Sequence, residues 1–340
     1  MPRDRADQRP LAIFLMGPTA SGKTALALRL AERFAVELIS VDSALVYRGM
    51  DIGSAKPDAD TLHRHPHRLV DIRDPRDVYS AAEFRSDALR EMDAITAKGK
   101  IPLLVGGTGL YFRALQSGLS DLPEADAGLR ERLGGEARAL GWPAMHARLA
   151  ALDPAAALRI RPGDTQRIQR ALEVIELTGR PLSQLQGGAR ERFAWRVLKL
   201  VLMPTDRAAL HARIAERLDA MFAQGFLDEV RELRARADLH AELASMRAVG
   251  YRQIWQHLDG EFDLAECRAR AIHATRQLAK RQMTWFRGDR DAVTVDPLEP
   301  GHVARAERAV ADFLSARSMA GSPHECGESA GTAGSPSPDC

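Results

Sequence analysis

The sequence GPTASGKT at Gly17–Thr24 decides the fold of this chain. It fits the spacing G-x-x-x-x-G-K-[ST] at every fixed position. The apolar run LAIFLM (Leu11–Met16) stands directly before it, and Leu26, Leu30 and Phe34 follow with helical spacing. A glycine-rich loop between a buried strand and a helix turns its backbone N–H groups inward and adds the positive end of the helix dipole. The stretch therefore predicts a phosphate-binding loop (P-loop); the alternative is a glycine-rich turn that binds no ligand.

Every residue of this loop is a candidate for binding a nucleotide or a diphosphate. The candidates are Gly17, Pro18, Thr19, Ala20, Ser21, Gly22, Lys23 and Thr24. We expect Lys23 to reach the terminal phosphate oxygens and the Thr24 hydroxyl to ligate Mg²⁺, which makes Mg²⁺ the predicted cofactor. Only six of the 48 basic residues are lysines, so a chance match to a pattern that demands lysine is rare.

Further apolar runs alternate with helical patterns. VELISV (Val36–Val41) and IPLLV (Ile101–Val105) have the length and bounds of buried strands, whereas residues 80–98 have helical spacing, with Ser80 as a cap. Another helix is predicted from Gly109. Such alternation is typical of β-α-β units, so the sequence predicts an α/β fold, a P-loop NTPase-like parallel sheet flanked by helices.

The middle of the chain has a different composition. Residues 118–190 are rich in Ala, Leu and Arg, are helical in pattern and are broken by prolines, which predicts an all-helical insertion domain. Trp195–Met203 then predicts a strand that rejoins the sheet, followed by helices to about Gly288, a short strand near AVTVD and a last helix to about Ser315. The predicted core is therefore residues 11–117 and 195–315. Residues 316–340, poor in apolar side chains, predict a disordered tail.

Composition limits the partners and the compartment. The net charge is only +2, so a nucleic-acid partner requires local basic patches. Arginines dominate the basic residues, which suits phosphate contacts but equally fits a coding bias. The three cysteines form no C-x-x-C pair, and Leu11–Met16 is too short for a signal or membrane segment. We therefore expect a cytoplasmic protein with no membrane association, and a monomer because no long apolar surface is left unexplained.

Two strand ends carry further information. Asp42 follows the second strand at its carboxyl end, where open α/β sheets bind ligands, so it is a candidate general base or Mg²⁺ partner. The alternative is that Asp42 caps a turn with Ser43.

Gly106, Gly107 and Thr108 follow the third predicted strand, where NTPases commonly have an acid that binds Mg²⁺ through water. The missing acid counts against ordinary ATP hydrolysis.

Long segments of the chain resemble the bacterial tRNA dimethylallyltransferases, a P-loop family. The matching segments are GPTASGKT, VDSALVYRGMDIGSAKP (41–57), PHRLVDIRDP (66–75), YSAAEFRSDA (79–88), PLLVGGTGLYFRAL (102–115), DTQRIQRALEV (164–174), RAVGYRQIW (247–255) and TRQLAKRQMTWFR (275–287). They span residues 11–290. The resemblance implies transfer of a dimethylallyl group from dimethylallyl diphosphate to the exocyclic N6 amine of the adenosine 3′-adjacent to the anticodon, with Mg²⁺.

This chemistry gives each candidate a role. Lys23, the loop amides and Mg²⁺ held through Thr24 would stabilise charge on the leaving diphosphate. Asp42 would take the proton of the adenine amine. Arg217, in a helical stretch, is a candidate second cation for the diphosphate, with Arg213 one turn earlier as a weaker one. The alternative for both is a solvated arginine on an amphipathic helix.

The resemblance also implies a tRNA-binding surface that holds the anticodon stem-loop. Its residues are Asp42, Ser43, Ala44, Leu45, Thr108, Arg130, Gln166, Arg167, Ile168, Gln169, Arg170, Arg247, Gly250, Tyr251, Arg252, Lys280, Arg281, Gln282, Trp285 and Arg287. QRIQR and AKRQMTWFR independently have the basic and aromatic character of RNA-contacting segments, although plain basic helix faces are the competing interpretation. The target adenosine is expected to leave its stack to reach the site.

Two other functions compete with this one. A small-molecule or nucleoside kinase would also place a P-loop beside a carboxylate, and would transfer a phosphoryl group from bound ATP. It would leave the helical insertion and the segments RAVGYRQ and KRQMTWFR without a clear role. A non-enzymatic RNA-binding regulator that uses bound nucleotide as a switch is the third possibility.

Overall fold

A parallel sheet forms the centre of the protein. The structure is a computed structural model, and it describes residues 9–120, 122–186 and 193–318. In this part of the chain the strands are β1 (Leu11–Met16), β2 (Val36–Val41), β3 (His67–Arg68), β4 (Ile101–Gly106), β5 (Arg196–Leu202) and β6 (Val293–Val295). Their order is β3-β2-β4-β1-β5-β6, and all neighbours pair in parallel. The predicted α/β class is confirmed.

Helices cover the sheet and form the insertion. They are α1 (Lys23–Arg33), α2 (Ala59–Arg64), α3 (Ala81–Ala97), α4 (Gly109–Ser117), α5 (Ala127–Leu140), α6 (Trp142–Leu152), α7 (Pro154–Arg159), α8 (Thr165–Thr178), α9 (Leu182–Leu185), α10 (Arg207–Ala223), α11 (Phe226–Ala235), α12 (Tyr251–Leu258), α13 (Leu264–Phe286) and α14 (His302–Ser318). None of these described helices is both long and apolar enough to cross a membrane.

The central strand β1 is buried on both faces, which explains its unbroken apolar sequence. Ile13 and Leu15 face a cluster formed with α1 and α14, whereas Phe14 and Met16 face a larger cluster that includes Phe84 of α3. Successive strand residues point to opposite sides, so a strand covered by helices on both sides has no polar face. Each large apolar side chain buried in this way contributes about 1.5–3 kcal/mol to folding.

Parallel pairing brings three chain segments to one edge of the sheet. Met16 of β1 pairs with Gly106 of β4 on one side and with Val201 of β5 on the other. Val41 of β2 also pairs with Gly106. The residues that follow these strands, the P-loop, Asp42 and the turn after Gly106, therefore lie together at the carboxyl edge.

Most local predictions are confirmed. Ser80 begins α3 with a capping box, in which the Glu83 backbone N–H donates to Ser80 Oγ (3.1 Å) and the Ser80 N–H donates to Glu83 Oε2 (2.8 Å). The sequence did not predict α2 or β3. The sequence predicted helices to about Gly288, and within this range residues 236–250 form turns and irregular backbone instead. The Ser245 hydroxyl donates to the carbonyl of Pro75 and helps fix this segment, a contact invisible to helical spacing.

The C-terminal boundary also differs from the prediction. Helix α14 continues to Ser318, three residues beyond the predicted end. The rest of the predicted tail, like residues 187–192 near the predicted end of the insertion, lies outside the described residues. The domain boundaries themselves stay a prediction.

The insertion is helical, as predicted, and has its own apolar cluster, in which Leu133, Leu149 and Leu172 are fully buried. A buried carboxylate, Glu173, accepts hydrogen bonds from Arg130 Nε (2.9 Å) and Arg170 Nη1 (2.7 Å). Paired twice in this way, Glu173 joins α5 to α8, and removing either arginine would leave buried charge partly uncompensated.

Candidate active site

A cavity of about 690 Å³ opens at the carboxyl edge of the sheet. Several groups of predicted site residues line it: Thr19, Ala20, Lys23 and Thr24 from the P-loop, Asp42, Ser43, Ala44 and Leu45 after β2, Thr108 after β4, and Arg217 from α10. Because the strands end side by side, the P-loop and the candidate base Asp42 line the same cavity.

The P-loop has the backbone that its glycines allow. Gly22 begins α1 with φ 85°, in the left-handed region that favours glycine. Ala20 also has a positive φ, of 60°, and such a residue costs about 1 kcal/mol or more that the surrounding contacts must offset. Lys23 Nζ folds back over the loop and donates to the carbonyl of Pro18 (2.6 Å). The ammonium is thereby placed inside the loop.

Charges in the cavity act on one another. Burial lowers the pKa of Lys23 to about 7, the Asp42 carboxylate opposes this shift, and Arg217 adds to it. A bound diphosphate would favour the protonated form, since an anion close to an ammonium raises its pKa. The positive charge of Lys23 is therefore most stable when a diphosphate is bound in the P-loop.

Because of Lys23, we expect the free energy of unfolding of the unliganded protein to increase as the pH rises above neutral. Its folded pKa is about 7, against about 10.4 for a free lysine. Between these values the unfolded chain holds the proton and the folded chain releases it, so the free energy of unfolding rises by at most about 1.4 kcal/mol per pH unit. Below the folded pKa both states are protonated and the slope vanishes. In urea unfolding from about pH 7 to 9, the free energy of unfolding should rise more for the wild type than for Lys23→Met. Parallel pH profiles would contradict the burial of this ammonium.

Asp42 has one oxygen in a turn and its side chain in the cavity wall. The Ala44 backbone N–H donates to Asp42 Oδ1 (2.8 Å), so the turn-capping alternative is correct for that oxygen. The residue also lines the cavity together with Lys23. The turn thus fixes the orientation of the carboxylate, which is what a positioned base requires.

Arg217 is not a solvated surface arginine. It lines the cavity from α10, whose buried face consists of Leu210, Ile214, Leu218 and Met221. Burial lowers the pKa of Arg217, with the Asp42 carboxylate opposing the shift. The guanidinium, charged at any ordinary pH, therefore faces the same space as Lys23. Arg213 is exposed.

A glutamine from α13 joins two loops of the site. The Thr19 backbone N–H donates to Gln282 Oε1 (2.9 Å), and Gln282 Nε2 donates to the Gly107 carbonyl (3.1 Å). Because one partner only donates and the other only accepts, they fix the orientation of the amide. A Cβ on Gly107 would lie 2.3 Å from Gln282 Nε2, and one on Gly109 would lie 2.3 Å from Trp285 Cδ1. Because these glycines of GGTG have no Cβ, α13 can pack closely against the loop that follows β4.

We expect Gln282→Met to lower the free energy of unfolding by about 1–2 kcal/mol, since it leaves a backbone donor and a backbone acceptor without their partner. Methionine has a similar length and no charge, so the two hydrogen bonds are the main loss. Urea denaturation measures the effect. Gln277→Met, the same change at an exposed position of α13, is the control; an equal loss there would contradict the role of the amide.

The far wall of the cavity depends on Glu229 of α11. Its carboxylate accepts from three consecutive backbone N–H groups, those of Asp51 (3.0 Å), Ile52 (2.6 Å) and Gly53 (3.2 Å). The Tyr251 hydroxyl also donates to it (2.6 Å), and burial raises the pKa of that hydroxyl, which keeps its proton available. Sequence reasoning missed Glu229, because nothing in its neighbourhood indicates a partner so far along the chain.

Comparisons with known proteins show the family of this chain. The family model described as IPP transferase matches residues 45–289, more than half of the chain. The chain belongs to the IPP transferase family. The match begins after Asp42, so it includes neither the P-loop nor Asp42.

Several relatives are similar to this chain over most of their length. A protein named tRNA dimethylallyltransferase from Thiobacillus denitrificans is 59% identical over 307 residues, covering 90% of this chain and 98% of the relative. One from Xanthomonas axonopodis pv. citri is 58% identical, covering 92% and 96%. A crystal structure of a tRNA isopentenylpyrophosphate transferase from Bacillus halodurans has 35% identity and a TM-score of 0.66, covering 92% and 99%. A eukaryotic dimethylallyltransferase acting on tRNA has 26% identity and a TM-score of 0.74, covering 90% and 80%.

The candidate tRNA-binding residues of this family member fall into two groups. Those that line the cavity are Asp42, Ser43, Ala44, Leu45, Thr108, Arg167, Arg247, Gly250, Tyr251, Arg281, Gln282 and Trp285. Of these, Trp285 is 39% exposed, so its ring is available to a base. Arg167 reaches the cavity from the insertion, which connects the two parts of the predicted surface.

The second group lies away from the cavity. It comprises Arg130, Gln166, Ile168, Gln169 and Arg170 in the insertion, and Arg252, Lys280 and Arg287 on or after α12 and α13. Ile168 is fully buried in the cluster of the insertion, so its side chain supports the helix that carries its neighbours, and a contact of this residue with tRNA stays a prediction.

Sequence reasoning also missed much of the cavity wall. Apolar residues of α10 and α11 line it (Ile214, Leu218, Met221, Phe226), as do Ser40, Tyr47 and His67. The last three lie in or next to the recognised segments, so proximity to a motif was a usable signal. The apolar residues have the spacing of ordinary core positions.

A hard oxygen ligand for Mg²⁺ stands at the end of the P-loop. Thr24 is exposed and lines the cavity, so its hydroxyl is available as a hard ligand. Within the described residues no group of three or more His, Cys, Asp or Glu residues could hold a metal ion by itself. Mg²⁺ keeps several waters and commonly binds through substrate phosphates. The residues present therefore fit a metal that arrives with a diphosphate.

Proposed function

We propose that this chain transfers a dimethylallyl group from dimethylallyl diphosphate to the exocyclic N6 amine of the adenosine 3′-adjacent to the anticodon of tRNA. The observation that carries the proposal is the shared cavity, in which Lys23 and Arg217 of a diphosphate cradle face the carboxylate of Asp42. The relatives named tRNA dimethylallyltransferase support the substrate assignment.

The donor half of the reaction is charge stabilisation. The bond between the allylic carbon and the diphosphate oxygen breaks, and the oxygen keeps the electron pair. Lys23, Arg217 and the amides of the P-loop would stabilise the negative charge that develops there. Mg²⁺, held through Thr24 and the diphosphate, would supply further positive charge to the leaving group.

The acceptor half requires a proton acceptor. The adenine amine shares its lone pair with the ring, so it is a weak nucleophile. As its nitrogen forms the new bond to the allylic carbon, Asp42 would take one of its protons. The apolar side chains of Ile214, Leu218, Met221 and Phe226 line the same cavity and would exclude water from the reactive carbon. Water would otherwise compete with the amine.

A kinase explains less of the site. Gly106 ends β4 and Gly107 follows it, so no carboxylate stands where P-loop NTPases usually bind Mg²⁺ through water. A regulator that only binds RNA would not need a carboxylate held beside a buried cation. Nucleotide binding by the P-loop, the monomeric state and the cytoplasmic location stay predictions.

One assay separates these functions. Purified protein is incubated with Mg²⁺, unmodified tRNA and dimethylallyl diphosphate labelled in the allyl group, and the tRNA is then digested to nucleosides. Label on N6 of the adenosine beside the anticodon supports the proposal. ATP-dependent phosphorylation of a nucleoside would favour the kinase, and retention of tRNA without label would favour the regulator.

A further inference from the structure

Ser40 of β2 has a buried hydroxyl with no use in the chemistry above. The residue is 3% exposed and lines the cavity. Its Oγ has no hydrogen-bond partner among the described residues. Burying a hydroxyl without a partner costs about 1–3 kcal/mol. A hydroxyl kept under such a penalty at the wall of a ligand cavity indicates a bond that forms with the ligand.

Ser40 lies near the carboxyl end of β2, at the edge of the sheet that carries the P-loop. It is two residues before Asp42 in the chain, and both residues line the cavity. It pairs with Val105 of β4, the last residue before the strand ends in glycine. P-loop NTPases carry an acid near this point of the neighbouring strand, which binds Mg²⁺ through water. Ser40 therefore brings an oxygen to the place where this chain has no acid.

We propose that Ser40 is a further ligand-binding residue of the donor site, whose hydroxyl hydrogen-bonds to a water molecule of Mg²⁺ when the metal is bound with a diphosphate. The inference rests on the proposed function, because it requires a metal-bound diphosphate in the P-loop. Thr24 and Ser40 both line the cavity, and from these different elements Thr24 would ligate the metal while Ser40 would contact one of its water molecules. Ser21, also buried and unpartnered, belongs to the P-loop itself and has the diphosphate as its evident partner.

A hydroxyl suits this reaction better than a carboxylate. A second negative charge two residues from Asp42 would oppose the approach of the diphosphate. A neutral oxygen binds the metal water without this repulsion.

The test measures binding of inorganic pyrophosphate by calorimetry to the wild type and to Ser40→Ala, in excess Mg²⁺ and in EDTA. Loss of a partner in the outer shell of a metal usually lowers affinity by about tenfold or more. We expect about a tenfold loss in Mg²⁺ and less than about a twofold change in EDTA. Ser86→Ala, at an exposed position of α3, is the control and should bind as the wild type does.

The melting temperature of the unliganded protein provides a second readout. If Ser40 serves the ligand, alanine removes an unsatisfied hydroxyl and the melting temperature stays or rises. A lower melting temperature, an equal loss in Mg²⁺ and EDTA, or no loss at all would overturn the inference. Normal pyrophosphate binding by the wild type without label transfer to tRNA would instead overturn the proposed function and leave the role of Ser40 standing.

Discussion

Asp42→Asn should lower the single-turnover rate of prenyl transfer by about two to four orders of magnitude, the usual contribution of a general base. Asparagine has the same shape and retains an oxygen for the Ala44 N–H, so the turn that orients the side chain is preserved. What it lacks is the ability to take a proton from the adenine amine. The measurement is a rapid-quench experiment with enzyme in excess over labelled tRNA, at saturating dimethylallyl diphosphate.

The affinity for tRNA should change little in this variant, which separates chemistry from binding. Asp93→Asn makes the same exchange at an exposed position of α3 and should react at the wild-type rate. If Asp42→Asn transferred the prenyl group at a nearly normal rate, Asp42 would be limited to its role in the turn, and the proton acceptor would have to be sought elsewhere in the cavity.

Lys23→Met should lower the rate of the same step by about two to three orders of magnitude, the loss seen when one charge-stabilising donor is removed from an active site. The methionine keeps an apolar stem of similar length, but the leaving diphosphate loses its ammonium partner. Arg217, which shares the cavity, would remain and explain why the loss is not larger. Saturating donor concentrations separate this effect from weaker diphosphate binding.

Lys98→Met is the matched control, since Lys98 directly follows α3 on the protein surface and its side chain is 54% exposed. It should leave both the rate and the pyrophosphate affinity unchanged. If Lys23→Met weakened binding but reacted normally when saturated, Lys23 would contribute equally to the ground state and the transition state, and its role in the departure of the diphosphate would be wrong.

The predictable part of the site is the part encoded locally. The P-loop, Asp42 and the glycines after β4 each follow a strand that its own apolar run identifies, and parallel pairing then gathers them at one edge. The fold class follows from the same runs. Ser80 was predictable as a cap because Glu83 completes the motif within four residues.

The unpredictable part depends on contacts between distant segments. Gln282 accepts a hydrogen bond from Thr19 across most of the chain, and Glu229 accepts one from Asp51 across about half of it. No spacing rule links residues so far apart. Ile168 shows the converse difficulty, since it lies in a basic segment and yet belongs to the core of the insertion. Burial of a residue inside a polar motif is decided by the packing of other helices.

The register of β1 has a consequence for biosynthesis. Leu11 pairs with Arg196 of β5, which is synthesised much later, and Ile13 pairs with Leu103 of β4. At about 5–20 residues per second, translation leaves the central strand without its second neighbour for roughly ten to forty seconds. The insertion, with a cluster made from nearby helices, has all its partners earlier. The nascent chain therefore holds a fully apolar strand without one of its two neighbours until β5 has been synthesised.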